Sequence, residues 1–549
     1  MTCDCLAATP NGTPRAVQTR LARLRKAGAI KPGRAGWRRW TATEDARLRE
    51  EYARGTDTST LADILNRTPR AVKGRLVRAC RAGAVEPISA IVNPLPTQKL
   101  NIYAFGTGDN AELGLGPTVN AKVVTRTRLN AHLLPDTVGY ALSYEGKVYS
   151  WGVNDQYALG RATMHTPLTR VVCSGDDRDS DCDDEVPLNP LESTPMLITA
   201  FPEGTVITRI AAGDSISIAV TDTGRVYGWG TFRCADGILG FNEKTSVQPV
   251  PTLLPTLKNI VRVSIGTDHI LGLTKEGDVY AWGNGQQSQL GKRVLKRHRL
   301  TGLIPRQVSL PRHQVTYVAT GSYHSFAITH DGRVWAWGLN QYGQCGIDQP
   351  QHAGEDSTKI PVPTVVESLA GYTIVQISAG EHHSTALTEN GELLVWGRLD
   401  GGQLGIDPAA LSADDCVRDT RGTPRYLRTP HALPGIRFST IGSGTDHNIA
   451  ILMEGQAYPW GFSGSYQTGL GPGADDEIMT PTRIENTATR GVRMTFAAAG
   501  GQFSILTGIP ATTTGAQQTF SIPGVYVSPP PPPLNPLYGV GRIQDWGSS

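Results

Sequence analysis

The chain has 549 residues, including 62 glycines and 37 prolines, and a formal net charge of +3. Its length accommodates several ordinary domains or one large repeat array, and its glycine and proline content is typical of short strands joined by turns. The sequence has no run of about 18 apolar residues and no apolar signal-peptide core, so neither a membrane span nor a secretory leader is expected. Its eight cysteines form no C-x-x-C pair, which favours reduced thiols in an intracellular protein.

Positive charge is concentrated at the amino-terminal end. Residues 1–90 contain 18 Lys and Arg against 8 Asp and Glu, whereas the remainder contains 34 against 41. A basic segment attached to a mildly acidic body favours contact with nucleic acid or chromatin through the first 90 residues.

Residues 37–85 are predicted to form three short helices. Trp37 and Trp40 precede the segment TATEDARLREEYARG, in which Thr43 can cap a helix with acidic residues in its first turn. The segment TLADILNR predicts a second helix, and residues 68–85 predict a third with apolar residues at helical spacing. Residues 13–30 repeat the third helix 55 positions earlier.

These features resemble a Myb/SANT-type helix-turn-helix, a small all-α module, at residues 37–85, with a truncated Myb-like copy at residues 1–36. In that family the third helix enters the major groove of DNA. The resemblance implies DNA contacts from the basic residues of that helix: Arg70, Lys73, Arg75, Arg78 and Arg81. A solvated basic helix or a protein-binding module would have the same composition, so these alternatives stay open.

A proline-containing linker, residues 86–100, leads to a repeated pattern. The pattern is G-x-x-H-x-x-A-h-T-x-x-G-x-h-h-x-W-G, followed by a polar stretch that ends in L-G, where h is apolar. The tryptophans at 229, 282, 337, 396 and 460 are 53, 55, 59 and 64 residues apart. Self-similarity at such a spacing indicates a repeat architecture.

The two ends of the array contain half units. Residues 102–116 correspond to the second half of a unit and residues 497–506 to a first half. Together they complete a seventh unit, and each unit has room for four antiparallel strands. The sequence therefore predicts an all-β, seven-bladed β-propeller over residues 101–508, closed by a split blade. Residues 509–549 include five consecutive prolines and are predicted to be a disordered Pro-rich tail.

Several loops carry a more specific signature: GTGDNAELGLGP, LESTP, GWGTFRCADGILGF, AWGNGQQSQLG, WGLNQYGQCG, AGEHHS and PTRIENTATR. On these residues the chain resembles the regulator of chromosome condensation family, and in particular its fungal-type Ran guanine nucleotide exchange factors. The resemblance implies a seven-bladed propeller that promotes GDP release and GTP loading on Ran at chromatin in the nucleus, in support of nucleocytoplasmic transport and mitosis. The implied partners are Ran, histones or the nucleosome, and DNA, with no membrane, metal or cofactor.

The recurrent histidines and tryptophans are predicted to be structural. Four histidines occur once per unit: His269, His324, His383 and His447. Their positions around a ring keep them from sharing one metal ion, and each is predicted to bond backbone groups at an inner strand. The tryptophans are predicted to be packing residues. Gly283 and Gly285 do not form a dinucleotide-binding loop, because Ser288 replaces the third glycine and no crossover helix follows.

Two positions after the first glycine of each unit are predicted to lie on one rim of the ring, and they differ from unit to unit. The resemblance implies that Asp214, Asp268 and His382 are catalytically important groups on the face that contacts Ran. Asp214 and Asp268 are also typical turn-capping residues, and that alternative stays open.

The unit that ends at Trp229 has the insertion TFRCADGILGF where other units have a short polar turn. The resemblance implies a GTPase-binding wedge, a hairpin that presses on the nucleotide site of Ran. Its residues are Phe232, Arg233, Cys234, Ala235, Asp236, Gly237 and Ile238.

A basic segment, KRVLKRHRLTGLIPR, occupies residues 292–306. The resemblance implies a chromatin-binding loop that engages the acidic patch of the nucleosome through four cations: Arg293, Lys296, Arg297 and Arg299. A solvated loop without a partner is the alternative.

The unit that ends at Trp151 lacks the expected glycine and histidine ahead of Ala141, which predicts a blade without its inner strand. This blade and the Myb-like residues leave a second function open: a chromatin-binding propeller adaptor without exchange activity. The wedge favours exchange, because an adaptor does not need it. Exchange would involve no covalent chemistry, although the factor would act catalytically on a GTPase. A hydrolase would need a nucleophile, a base and oxyanion donors, and no such set occurs outside the repeat register.

Overall fold

A computed structural model describes residues 100–108, 111–116, 121–131, 139–143, 145–164, 188–348, 358–412 and 415–510, together with single positions between 41 and 75. The chain divides into a unit of residues 1–90 and a unit of residues 91–549. The predicted Myb-like copy at 1–36, the linker at 86–99 and the tail from 511 onward lie outside the described residues. No helix among the described residues is long and apolar enough to cross a membrane.

In the amino-terminal unit, the described residues are largely helical and share one apolar cluster. Its buried members are Leu48, Leu61, Ala62, Leu65 and Val72. The apolar side chains of the three predicted helical segments therefore meet in one small core.

The first helical segment begins at a capping box. The Glu44 N–H donates to Thr41 Oγ1 (3.2 Å), and the Thr41 N–H donates to Glu44 Oε2 (2.9 Å). The prediction of Thr43 as the cap was wrong, because Thr41 has a glutamate three residues after it that returns the bond. Arg67 Nη2 lies 2.9 Å from Glu44 Oε2 and links the second segment to this box.

Residues 100–510 form seven antiparallel sheets around a central axis, which confirms the predicted propeller. Blade 1 contains three strands: β3 (Tyr140–Leu142), β4 (Val148–Ser150) and β5 (Met196–Leu197). Four-stranded blades 2, 3, 4 and 6 follow the same order from inner to outer strand: β6 (Ile207–Ala212), β7 (Ile216–Thr221), β8 (Val226–Gly230), β11 (Gln248–Leu253); β12 (Ile260–Ile265), β13 (His269–Thr274), β14 (Val279–Gly283), β15 (Arg306–Gln307); β16 (Val315–Thr320), β17 (His324–Thr329), β18 (Val334–Leu339), β19 (Lys359–Val365); β25 (Phe438–Ser443), β26 (His447–Leu452), β27 (Ala457–Phe462), β28 (Glu477–Ile478).

Blade 5 has five strands: β20 (Ile374–Ala379), β21 (His383–Thr388), β22 (Leu393–Arg398), β24 (Pro424–Leu433) and β23 (Val417–Arg418). Blade 2 also carries a separate hairpin, β9 (Phe232–Cys234) and β10 (Gly237–Gly240). The helices of this unit are short: an α-helix at Pro190–Ser193 and 3-10 helices at Asp155–Tyr157, Lys296–Leu303, Glu367–Leu369 and Pro408–Ala410.

Blade 7 closes the ring, as the half units predict. It contains β1 (Leu100–Gly106), β2 (Ala121–Ala131), β29 (Val492–Ala499) and β30 (Phe503–Pro510). β1 pairs with β30 from Asn101 opposite Gly508 to Gly106 opposite Phe503. Closure by strands from both ends of the array leaves the ring without an open seam at this blade.

Each repeat tryptophan joins two blades. The Trp337 indole N–H donates to Gln289 O (2.8 Å), and the Trp396 indole N–H donates to Gln344 O (2.8 Å), so each ring reaches the loop of the preceding blade. The glycine of the L-G motif makes room for the ring: a Cβ at Gly405 would lie 3.0 Å from the Trp460 indole. The tryptophans are thus packing residues, as predicted, and they explain the conserved spacing of the unit from W-G to L-G.

The repeat histidines bond side chains of the next blade, so the prediction that they bond inner-strand backbone was wrong. His269 Nε2 lies 2.9 Å from Ser325 Oγ, and Ser325 Oγ donates to Gln289 O (3.0 Å), the acceptor of Trp337. Equivalent contacts link His324 to Ser384 and His447 to Ser504. Each seam therefore carries a chain of histidine, hydroxyl, carbonyl and indole.

Blade 1 reaches the same kind of seam by another route. Its first described strand, β3, corresponds to the second strand of the other blades, and residues 132–138 lie outside the described residues. The Tyr140 hydroxyl contacts Ser217 Oγ (2.9 Å) and donates to Ala158 O, which also accepts the Trp229 indole N–H. A tyrosine thus replaces the missing histidine at the seam between blades 1 and 2.

Candidate functional site

One face of the propeller carries the loops that join each inner strand to the second strand. These loops are bonded from blade to blade: the Asp214 N–H donates to Thr267 O (3.1 Å), and the Thr267 N–H donates to Ser322 O (3.1 Å). The Ser322 N–H in turn donates to Gly380 O (3.0 Å). The side chains that follow these bonds form a rim around the mouth of the central channel, a cavity of about 670 Å³.

Asp214 and Asp268 lie near each other on this rim, with Arg233 between blades 2 and 3. Burial raises the pKa of the Asp214 carboxyl, although the charge of Arg233 opposes the shift. Burial also raises the pKa of Asp268 to about 6, and the neighbouring Asp214 adds to the increase. Carboxyls with pKa values moved towards neutral pH are typical of functional sites.

The two aspartates differ in their contacts. Asp214 is exposed, whereas Asp268 is 7% exposed and its Oδ1 accepts a hydrogen bond from the Arg233 N–H (2.6 Å). This bond joins Asp268 to the inserted hairpin of the neighbouring blade, 35 residues away. Asp268 therefore fixes the position of another element, in addition to its place on the rim.

The residues predicted as a wedge form the two-stranded hairpin β9–β10. Cys234 pairs with Gly237, so Ala235 and Asp236 form a two-residue turn, and Gly237 has a φ of +107° that favours glycine. Phe232 is buried at the base of the hairpin. A Cβ at Gly283 would lie 2.8 Å from the Phe232 ring, so this glycine lets the hairpin pack closely on blade 3.

His382 lies in blade 5, farther around the rim. Its Nε2 is 3.0 Å from Gln341 Nε2, and its ring meets the ring of Tyr342 edge-on at 4.8 Å. Its Nδ1 lies 3.9 Å from Glu381 Oε2. Burial, together with the positive charge of Arg398, lowers the pKa of His382, so the imidazole is neutral at neutral pH.

The structure brings Asp214 and Asp268 together and places His382 in a separate cluster. Glu381 links the two regions electrostatically, because its charge contributes to the raised pKa of Asp214. Burial raises the pKa of Glu381 itself, and the charge of Asp446 adds to that shift. Sequence reasoning did not select Glu381 or Asp446, although both occupy the two variable rim positions of their units.

The predicted chromatin-binding loop lies beside the hairpin. Arg299 Nη1 is 2.6 Å and Lys296 Nζ is 3.5 Å from oxygens of Asp236 in the hairpin turn. Arg293 and Arg297 are exposed, and neither forms an ion pair with any residue that the structure describes. The four cations thus divide into two that face the hairpin and two that face solvent.

The predicted DNA contacts fall mostly outside the described residues. Arg75 is described, as a half-buried helical residue, whereas the other four predicted contacts are not. No group of three or more His, Cys, Asp and Glu side chains with metal-site geometry occurs among the described residues.

Comparison with known proteins supports one family for the propeller unit. Residues 101–506 match the profile of the RCC1-like domain. The chain is 40% identical over 490 residues to Protein pim1 of Schizosaccharomyces pombe, covering 85% of this chain and 87% of that protein. It is 42% identical over 444 residues to Guanine nucleotide exchange factor SRM1 of Saccharomyces cerevisiae, covering 77% and 90%.

A solved structure agrees with these relatives. Prp20p of Saccharomyces cerevisiae superposes with a TM-score of 0.67 and 39% sequence identity, over 77% of this chain and 94% of that chain. The structure of Prp20p was described together with its binding to Gsp1p and histones. These similarities cover the propeller and its inserted loops.

Proposed function

Because the chain belongs to the family of RCC1-like domains, we propose that it is a guanine nucleotide exchange factor for a Ran-type GTPase. SRM1 carries that activity in its name, and Prp20p binds Gsp1p. The observation that carries the proposal is the hairpin of residues 232–240, held beside a rim of carboxyls on one face of the ring. A propeller that serves only as an adaptor does not need such a hairpin.

The physical basis of exchange is a difference in affinity. A GTPase holds its nucleotide through backbone amides around the phosphates and a bound magnesium ion. A partner that binds the nucleotide-free GTPase more tightly than the loaded form must weaken nucleotide binding by the same factor, since coupling between two ligands is reciprocal. No bond of the nucleotide forms or breaks, and the direction of loading follows from the cellular excess of GTP over GDP.

The proposed roles of the site residues follow from their contacts. The hairpin displaces the phosphate-binding region of the GTPase, and Ile238, which is 46% exposed, supplies an apolar contact. Asp268 holds the hairpin through the Arg233 N–H. The exposed Asp214 and the neutral His382 contact the GTPase and orient it on the rim.

A nuclear, chromatin-associated location is part of the proposal. Prp20p binds histones, and the first 90 residues of this chain are basic. Arg293 and Arg297 project into solvent from the loop beside the hairpin and are suited to a carboxylate surface on histones. Residues 1–90 would add contacts to DNA phosphates. Both contacts would localise GTP loading to chromatin.

The rival function is a chromatin adaptor that binds the GTPase without releasing nucleotide. The full chain, added in catalytic amounts to a Ran-type GTPase that carries fluorescent GDP, distinguishes the two in the presence of excess GTP. Exchange predicts complete, multiple-turnover release of the labelled GDP. Binding of the GTPase with release at the intrinsic rate would support the adaptor.

A further inference from the structure

The hairpin belongs to blade 2 by sequence, but its tip is held by blade 3. Arg299 Nη1 lies 2.6 Å from Asp236 Oδ2, and Lys296 Nζ lies 3.5 Å from Asp236 Oδ1. Each oxygen of the turn carboxylate therefore faces a different cation from the segment between β14 and β15. We refer to Asp236, Lys296 and Arg299 as the brace.

Two further contacts from blade 3 hold the hairpin below its tip. The Ala235 N–H donates to Gln286 Oε1 (3.2 Å), and the Arg233 N–H donates to Asp268 Oδ1 (2.6 Å). Together with the brace, these contacts follow one side of the hairpin from base to tip. They come from three separate loops of the same blade.

The outer half of the hairpin has little apolar packing of its own. Phe232 and Leu239 are buried at its base, whereas Arg233, Asp236 and Ile238 are exposed. A two-stranded hairpin is marginally stable by itself in water. Its orientation therefore depends on polar contacts with the neighbouring blade, and the brace supplies the contacts nearest the tip.

We infer that Lys296 and Arg299 are positioning residues for nucleotide exchange, which act on the GTPase through Asp236 and the hairpin. The inference rests on the proposed exchange function. Exposed ion pairs contribute little to the stability of a whole protein, but here they act on an element with few other contacts. Loss of the brace should leave the propeller folded and allow the hairpin tip to move.

The kinetic test compares the full chain with Arg299→Ala, Asp236→Ala and the double variant. Each single variant should lower kcat for GDP release about fivefold and change KM less than about twofold, and the double variant should resemble the singles because both remove one contact. Arg312→Ala is the matched control, since Arg312 is an exposed arginine at the opposite end of the strands. The exchanged pair Asp236→Arg with Arg299→Asp should restore most of kcat.

A second measurement follows the hairpin without the GTPase. Cys234 is a half-buried free cysteine in β9, so its rate of thiol labelling, read by mass spectrometry, reports exposure of the hairpin. Arg299→Ala should increase this rate severalfold, and Arg312→Ala should not.

The outcomes separate the inference from the proposed function. Unchanged kcat and unchanged Cys234 labelling in Arg299→Ala would overturn the brace while exchange by the unaltered chain stands. A raised KM with normal kcat would also overturn it, because Arg299 would then contact the GTPase directly. If the unaltered chain fails to accelerate release, the proposed function fails, and the labelling result alone decides the brace.

Discussion

Asp268 shows how one residue of the rim serves the site at a cost to stability. Its carboxylate is buried and lies near Asp214, and both conditions raise its pKa to about 6. The same carboxylate accepts the Arg233 N–H at the base of the hairpin. The ionised form thus holds the hairpin at neutral pH, in surroundings that disfavour its charge.

Replacement of Asp268 by alanine should slow GDP release at least about tenfold, which corresponds to about 1.4 kcal/mol of transition-state stabilisation. The reason is loss of the acceptor that fixes the Arg233 N–H. The measurement is kcat for release of labelled GDP from a Ran-type GTPase, with circular dichroism to confirm folding. An unchanged kcat would remove Asp268 from the site.

Replacement of Asp268 by asparagine should stabilise the protein at pH 7.5. A carboxyl with a raised folded-state pKa stabilises the fold when protonated, and this contribution is lost as the pH rises through about 6. Asparagine keeps an acceptor oxygen without the charge, so a gain of roughly 1–3 kcal/mol is expected. The difference in melting temperature between the two proteins should shrink at pH 5. A less stable variant at pH 7.5 would contradict this interpretation.

At the scale of elements, the seams between blades explain why the repeat has its residue types. Histidine, serine, carbonyl and indole form one chain across a seam, as in His324, Ser384, Gln344 O and Trp396. The seam between blades 2 and 3 is apolar instead, with Ile216 and Ile270 in one buried cluster. There, the residues that would supply the carbonyl loop form the hairpin, and Ile238 pairs with Arg233.

The buried histidines should make the protein less stable in acid. Burial lowers the pKa of His447 and of His269 to about 3, and that of His383 to about 4. Because the unfolded chain takes up protons near pH 6.5, stability is lost as the pH falls from about 6.5 towards these folded-state values. Each histidine contributes about 1.4 kcal/mol per pH unit within that window.

The check is the slope of unfolding free energy against pH between 6 and 5 for the unaltered protein and His447→Gln. The variant should lose about one proton of linkage, whatever its absolute stability. The slope, and not the melting temperature at one pH, isolates this residue, because the raised pKa values of Asp214, Asp268 and Glu381 act in the opposite direction in both proteins. Equal slopes would show that His447 is not buried in the neutral form.

At the scale of the whole molecule, the sequence predicts most of the ring and little of its cross-blade contacts. Blade number and closure follow from recurrent glycines and tryptophans, whose roles are local to one unit and its neighbour. The substitution of Tyr140 for a histidine could not be predicted, because Tyr140 lies two positions out of register and reaches the seam by its length. The brace joins Asp236 to Arg299 across 63 residues, and no periodic pattern marks such a pair.

Chromatin contact is expected to divide between two parts of the chain. Arg293→Glu with Arg297→Glu should weaken nucleosome binding and spare free DNA, since the loop is proposed to bind histone carboxylates. Arg70→Glu with Lys73→Glu should weaken free-DNA binding and reduce its dependence on salt, because fewer counterions are released from phosphates. Gel-shift titrations of the full-chain variants over a salt series provide the test. Equal losses on both substrates would contradict a histone-specific loop.

Exchange through the hairpin is tested most directly by the rate of GDP release at saturating amounts of two proteins. One is the unaltered chain, and the other has residues 233–238 replaced by two glycines. The unaltered chain should accelerate release at least about a hundredfold, or about 2.7 kcal/mol. The shortened chain should still bind the GTPase but leave release at the intrinsic rate. Equal acceleration by both chains, or no acceleration by either, would contradict the proposed mechanism.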